Sequence, residues 1–352
     1  MYLLLPTCLL YGQVGGTAIY QFLTLPGSAK IASMGGKVIS LFEEDLSMTS
    51  QNPALLNKSM HHQVVLNYTD YFIDINHGYF SYGISNSEFG NFAAGIQYIN
   101  YGKFTGTDET GEITGSFGAS EYALTFIWSK SLDSTLSFGV TLKPIASYLE
   151  RYQSYGFVSD WGINYYNRHK LFSASLVLRN LGTQLSTYNK HNREPLPFEI
   201  LLGLSHRLQH APFRFSITAH QLQKPDLNYK TEKDISQQEL YFSKPDTSPN
   251  RLNAFYDVAD KSMRHLIFGV EIIPIKNFYL SLGYNYQRRQ ELKIPERVST
   301  VGFSWGFGLR VYKFIVSYGR ATYHVAGSTN HFSLTTNISD FFMQQKNNNT
   351  LP

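Results

Sequence analysis

The stretch Val298 to Arg310 reads VSTVGFSWGFGLR, and its alternation restricts the possible folds more than any other part of the chain. Val301, Phe303, Trp305, Phe307 and Leu309 share one parity, while Gly302, Ser304, Gly306 and Gly308 share the other. A period of two marks a strand with two unlike faces. A soluble sandwich would place β-branched or charged residues on its outer face, because glycine weakens an exposed strand. Here the second face is small. A transmembrane barrel strand has that form, with bulky apolar groups toward lipid and small or polar groups toward a crowded lumen.

The same sorting recurs along the chain. Leu136, Phe138, Val140 and Leu142 alternate with Ser137, Gly139, Thr141 and Lys143, and Ile200, Leu202 and Leu204 alternate with Glu199, Gly203, Ser205 and Arg207. Phe213, Phe215 and Ile217 are set against Arg214, Ser216, Thr218 and His220, and Phe268, Val270 and Ile272 against Gly269 and Glu271. Charges within strands keep to the small parity, as a bilayer enforces when a charge facing lipid at mid-depth costs on the order of 2–4 kcal/mol. About fourteen such strands run from His61–Thr69 to His331–Asn337, including Phe278–Arg288 and Val298–Arg310. An even count suits closure of an antiparallel barrel. Tight connections such as Ser131 to Ser134 and Val311 to Lys313 alternate with mostly longer ones, among them Gly102 to Gly118, Gly182 to Pro195 and Gln223 to Arg264. That asymmetry separates a periplasmic from an extracellular rim.

Composition agrees. Only 16% of the 352 residues are charged, against roughly 25% in an ordinary soluble domain, while 25 Tyr and 25 Phe suit aromatic girdles at two membrane interfaces. Beyond the N-terminus no run approaches the roughly 18 apolar residues of a helical span. The net charge of +4 has no Lys/Arg block behind it, so nucleic-acid binding has no footprint.

Residues 1–12 read as a secretory signal without its basic n-region, carrying the only cysteine, Cys8, away on cleavage near Gly12–Gln13. Pro6 and Thr7 before that cysteine fit a lipidation site poorly. Residues 13–60 lack strand alternation and hold Gly35, Gly36 and the pair Asn52–Pro53, the composition of a compact hatch ahead of a barrel spanning 61–337. A polar tail occupies 338–352. The 42-residue segment Gln223 to Arg264 has seven acidic and seven basic residues together with Leu240, Tyr241, Phe242, Phe255 and Tyr256, which makes it the expected docking surface for a protein partner.

No catalytic or metal motif assembles. His61 and His62 are adjacent in a presumed strand and should point to opposite faces. His220 and Ser216 share a parity but gain no assignable carboxylate, so a Ser–His lipase or deacylase is the weaker reading. Gly306-Phe307-Gly308 lies mid-strand, where a phosphate loop does not form. No cofactor is expected. The inward charges Lys143, Arg179, Arg207, Arg214 and Arg310 against Glu199 and Glu271 are of both signs, which suits ties between hatch and wall better than an open ion-selective pore.

A hatch and fourteen strands, with Asn52-Pro53-Ala54-Leu55 just before the first strand, resemble the FadL-like outer-membrane proteins. Within them GGTAIYQFLTLPGSAKIASMGG at 15–36, LRNLGTQL at 178–185, APFRFSITAHQL at 211–222, HLIFGVE at 265–271 and YNYQRRQELKIP at 284–295 are similar to the PorV/PorQ branch, tied to type IX secretion in Bacteroidetes. This resemblance implies a non-enzymatic barrel that holds a PorZ-like surface protein in an attachment complex. There PorV delivers cargo to the sortase PorU, the cargo signal is removed and lipopolysaccharide is attached. Two alternatives are transport of hydrophobic compounds, as in FadL, and a PorV-like cargo shuttle.

Overall fold

A computed structural model describes residues 18–71, 74–189, 193–227, 251–292, 300–324 and 327–342. The signal, the end of the tail and Leu240, Tyr241 and Phe242 lie outside the described residues.

Period-two alternation resolves into fourteen antiparallel strands. They are β1 (Gln63–Asp70), β2 (Asn76–Asn86), β3 (Gly90–Thr107), β4 (Ile113–Ser131), β5 (Leu136–Leu149), β6 (Tyr152–Asn167) and β7 (Phe172–Ser186), followed by β8 (Glu199–Arg207), β9 (Phe213–Ala219), β10 (Leu266–Ile275), β11 (Phe278–Asn285), β12 (Phe303–Val311), β13 (Phe314–His324) and β14 (Gly327–Asn337). Each pairs with its sequence neighbours, and β1 closes on β14 from Gln63↔Asn337 to Asp70↔Asn330. Closure leaves no sheet edge to the bilayer, the condition for a β-protein to span one.

The barrel is apolar outside and polar inside. Leu202, Leu204, Phe215, Ile217, Leu282, Trp305 and Phe332 are exposed, while their alternates Ser205, Ser216, Thr218, Ser281, Ser304 and Ser333 are buried. Such a belt is stable only against lipid, so the chain is a transmembrane barrel of the outer membrane.

Residues 18–62 fill the lumen as short helical turns joined by irregular chain. They include α1 (Ala29–Ser33) and 3-10 turns at Gln21–Thr24, Leu46–Ser50, Pro53–Leu55 and Lys58–Met60. The segment enters at the long-loop rim, where the Ile19 N–H donates to Pro195 O and the Tyr20 hydroxyl meets Ser154 Oγ at 2.5 Å. It leaves at the tight-turn rim, where the His62 N–H donates to Gly83 O. Irregular backbone at this depth must have its polar groups satisfied by the protein. Inward hydroxyls of the wall do so: Ser137, Ser205 and Ser304 donate to the carbonyls of Ala54, Ser40 and Ser33, at 2.7, 2.7 and 2.8 Å.

Several expectations need correction. Val301 and Gly302 do not extend β12: they form a turn with Gly302 at φ 88° and Val301 fully buried, so the strand starts at Phe303. Strand β11 stops at Asn285, whose Oδ1 accepts the Arg288 N–H and so starts α2 (Tyr286–Leu292); a side-chain cap ahead of strong helix formers overrides the alternation. The connection 102–118 is mostly an extension of the β3–β4 hairpin. Within Gln223 to Arg264, residues Arg251–Arg264 form a helix, α3. His61 and His62 precede β1, and the positive φ of His62 (57°) brings their rings to 3.8 Å instead of opposite faces.

Candidate functional site

The place where chemistry concentrates is the contact between hatch and wall. Lys30 on α1 and Glu43 farther along the hatch meet Arg214 on β9 and Glu271 on β10, strand positions held opposite each other by the barrel register. Lys30 Nζ lies 2.8 Å from both Glu43 Oε2 and Glu271 Oε1. Arg214 Nη2 is 2.9 Å from Glu43 Oε2, and Arg214 Nε donates to Glu271 Oε2 at 2.7 Å. The four charges cancel and all are largely buried, each cation bridging both carboxylates. Lys30 Nζ also lies 4.4 Å from the ring centre of Tyr279, a cation–π contact. In a low-dielectric interior such a network is strong when complete and costly when broken.

Two further ties surround it. Lys37 of the hatch pairs with Glu199 on β8, and His220 Nδ1 lies 3.5 Å from the same carboxylate. Arg179 is fully buried and reaches across the lumen, donating to Gln51 Oε1 at 2.9 Å and Leu23 O at 3.0 Å. A β-bulge enables that reach. Ser159 pairs with Leu181 and Trp161 with Leu178, so Arg179 and Asn180 together oppose one residue of β6 and both face inward, Asn180 with φ 56°. Lys143 pairs with Asp160 within the wall.

Of the seven charges expected in the lumen, the structure buries Lys143, Arg179 and Glu199, places Arg214 and Glu271 in the central network, and leaves Arg207 and Arg310 exposed. These two keep the inward parity but sit at the ends of β8 and β12 beside tight turns, where the wall has ended and water reaches them. Sequence reading missed their counterparts Lys30, Lys37, Glu43 and Asp160. For the three hatch residues the available signal was the presence of lone ionic residues in a Ser/Ala-rich segment that has to be buried, and for Asp160 it was the inward parity it shares with Val158 and Gly162 on β6.

The other expected hatch residues shape its fit. Asn52 caps the turn Pro53–Leu55, its Oδ1 accepting the Ala54 N–H at 3.0 Å while its Nδ2 donates to Ile39 O at 2.8 Å. Gly35 and Gly36 take φ of 95° and 94°, the left-handed region that glycine enters freely. Gly35 abuts the wall at Gly283, where an added Cβ would come within 2.1 Å of Gly35 N, and a Cβ on Gly139 would meet Pro53 C at 2.4 Å. Gly139 and Gly283 thus mark where hatch backbone lies against strand backbone.

Ser216 and His220 form no catalytic pair: Ser216 Oγ donates to Gly269 O at 3.4 Å, while His220 faces Glu199. Among the described residues, no three His, Cys, Asp or Glu side chains gather as a metal site. Two apolar grooves, of about 380 and 510 Å³, open on the lipid side, lined by residues such as Leu66, Phe80 and Phe332, and Phe92, Phe126 and Leu142. Over the outer rim Tyr286 on α2 donates to Asp260 of α3 at 2.7 Å, and Lys261 pairs with Asp226 at 2.9 Å. Of the expected docking residues, Phe255 lies in α3, and Tyr256 on the same helix is 66% exposed.

No protein-family model matches the sequence, and no curated protein does. Solved structures match in fold. The Ralstonia pickettii toluene transporter TbuX superposes with a TM-score of 0.51 at 10% identity, covering 88% of this chain and 97% of its own. The CymD monoaromatic hydrocarbon channel gives 0.51 at 13% identity over 89% and 96%, and the P. putida toluene transporter TodX gives 0.50 at 13% over 89% and 99%. At these identities the likeness establishes the architecture, that of a FadL-type fourteen-stranded outer-membrane barrel.

Proposed function

We propose that this barrel is a non-enzymatic anchor whose work is done at its outer rim, holding a PorZ-like surface protein in a type IX attachment complex beside PorU and PorV. The observation that carries this reading is the filled lumen: a hatch bound to the wall through Lys30, Glu43, Arg214 and Glu271 leaves the rim as the surface on which the protein can act. The resemblance of the hatch and of the later strands to the PorV/PorQ branch is what suggests this partner. A second reading, passage of hydrophobic molecules across the outer membrane, is favoured by the fold shared with the toluene transporter TbuX and the monoaromatic hydrocarbon channel CymD.

One experiment separates the two. The native barrel is extracted in mild detergent, its co-purifying proteins are identified by mass, and its lipid extract is analysed. A stoichiometric surface protein is the expected result. A bound long-chain or aromatic hydrocarbon without a protein partner would replace the anchor with the transporter.

A further inference from the structure

The β3–β4 hairpin outgrows the barrel. Strand β2 starts at Asn76, opposite Asn100, and β5 ends at Leu149, opposite Ala119, so among the described residues Lys103–Thr107 and Ile113–Gly118 have strand partners only in each other, with the Glu150 N–H donating to Gly118 O at the base. Five residues at about 3.3 Å each lift this arm some 16 Å past the neighbouring strand ends, on the long-loop side. Among the described residues, both its edges have backbone donors and acceptors without strand partners, the arrangement that lets a foreign strand add on.

The side chains of the arm are unusual for a solvated hairpin. Phe104 and Phe117 are directly cross-strand, stack at 5.3 Å between centroids and remain 42% and 36% exposed, and Ile113 is 74% exposed. Phe117 shares the parity of Ala119 and the inward-facing Glu121, so the aromatic pair lies on the face turned over the lumen mouth. The shift between Asn100 and Lys103, with Gly102 at φ 81°, keeps Phe104 on that face. At the tip Asp108, Glu109 and Glu112 are all exposed. Hydrogen bonds from the Thr110 side chain and then from backbone N–H groups hold the Asp108 carboxyl below its ordinary value, keeping the tip anionic.

Resting on the anchor reading above, we infer that this arm is the docking element for the surface protein, which lays an apolar strand edge against Phe104 and Phe117 and a basic patch against the acidic tip. Charge selects the occupant. Three carboxylates oppose the phosphate-bearing outer leaflet and favour a cationic protein surface. Exposed aromatics in a stacked pair are the side chains on which interface affinity concentrates.

The test uses the full-length barrel in detergent and, as the probe, the surface protein that co-purifies with the wild type, identified by mass and then purified. Two variants are compared, Phe104→Ser with Phe117→Ser, and Glu109→Lys with Glu112→Lys. Both should keep the heat-dependent gel shift of a closed barrel. Affinity is expected to fall tenfold or more in the first, and the second should weaken binding mainly at low salt. Unchanged affinity in both variants overturns the arm as the docking element and leaves the anchor reading in place. A variant that alters only the co-purifying lipopolysaccharide reassigns the arm to lipid and also overturns the inference. If the wild type retains no surface protein, both readings fall.

Discussion

Replacing Glu271 with Gln tests the hatch lock most directly. The side chain keeps its volume, but Lys30 and Arg214 are left to share Glu43, and the buried network passes from neutral to one excess positive charge. Removing one partner of a buried ion pair costs about 3–5 kcal/mol. At 1.4 kcal/mol per decade this raises the population of the loosened hatch by roughly two to three and a half orders of magnitude. The cost falls on hatch docking, because β10 keeps its backbone pairing with β9 and β11. Planar-bilayer recordings should therefore show a quiet wild type and a flickering, conducting E271Q barrel, with faster proteolysis of residues 18–62. A second change, Lys30→Met, restores neutrality around the remaining Arg214–Glu43 pair and should recover much of the closure. An E271Q barrel as quiet and as protease-resistant as the wild type would refute the argument that these charges hold the plug.

Other substitutions probe other parts of the fold. Gly283→Val places a side chain where hatch backbone already lies and should destabilise hatch packing by about 1–3 kcal/mol, seen as protease sensitivity of the hatch in an otherwise heat-modifiable barrel. Trp305→Arg puts a cation on the lipid face and should cost about 2–4 kcal/mol in folding equilibria measured in vesicles, whereas Ser304→Ala on the opposite face should cost less. Asn52→Ala removes the cap of Pro53–Leu55 and orphans Ile39 O, an expected loss of about 1–3 kcal/mol readable by hydrogen exchange across residues 38–56. Deleting residues 228–250 should leave the barrel folded, and undiminished retention of the surface protein would remove that loop from the docking surface.

The strands were legible because a bilayer imposes a two-sided code on every residue, and fourteen repetitions of it average out local noise. The code failed where another force took over. Asn285 turns β11 into a helix because its side chain competes for a backbone N–H, and His62 leaves the strand pattern through a positive φ that alternation does not reveal. The β3–β4 arm was hidden for a different reason: beyond the membrane, KFTGT and ITGSF face water on both sides, so no lipid imposes a contrast. Of the site, the wall charges follow parity, Asp160 included although it was not singled out, and the hatch charges do not, because a segment without periodicity gives its side chains no predictable direction. Arg207 and Arg310 show the complementary limit, since parity fixes the face of a residue but not its height in the wall.

The register that joins β1 to β14 has a bearing on biogenesis. Those are the first and last strands to be synthesised, so their junction is the last seam available for closure. Ala29 of α1 donates to Ser333 on β14 at 2.8 Å, which places the plug directly against that seam. The seam is therefore joined to the plug as well as to its two strands, so a change at Ser333 touches barrel closure and plug seating together.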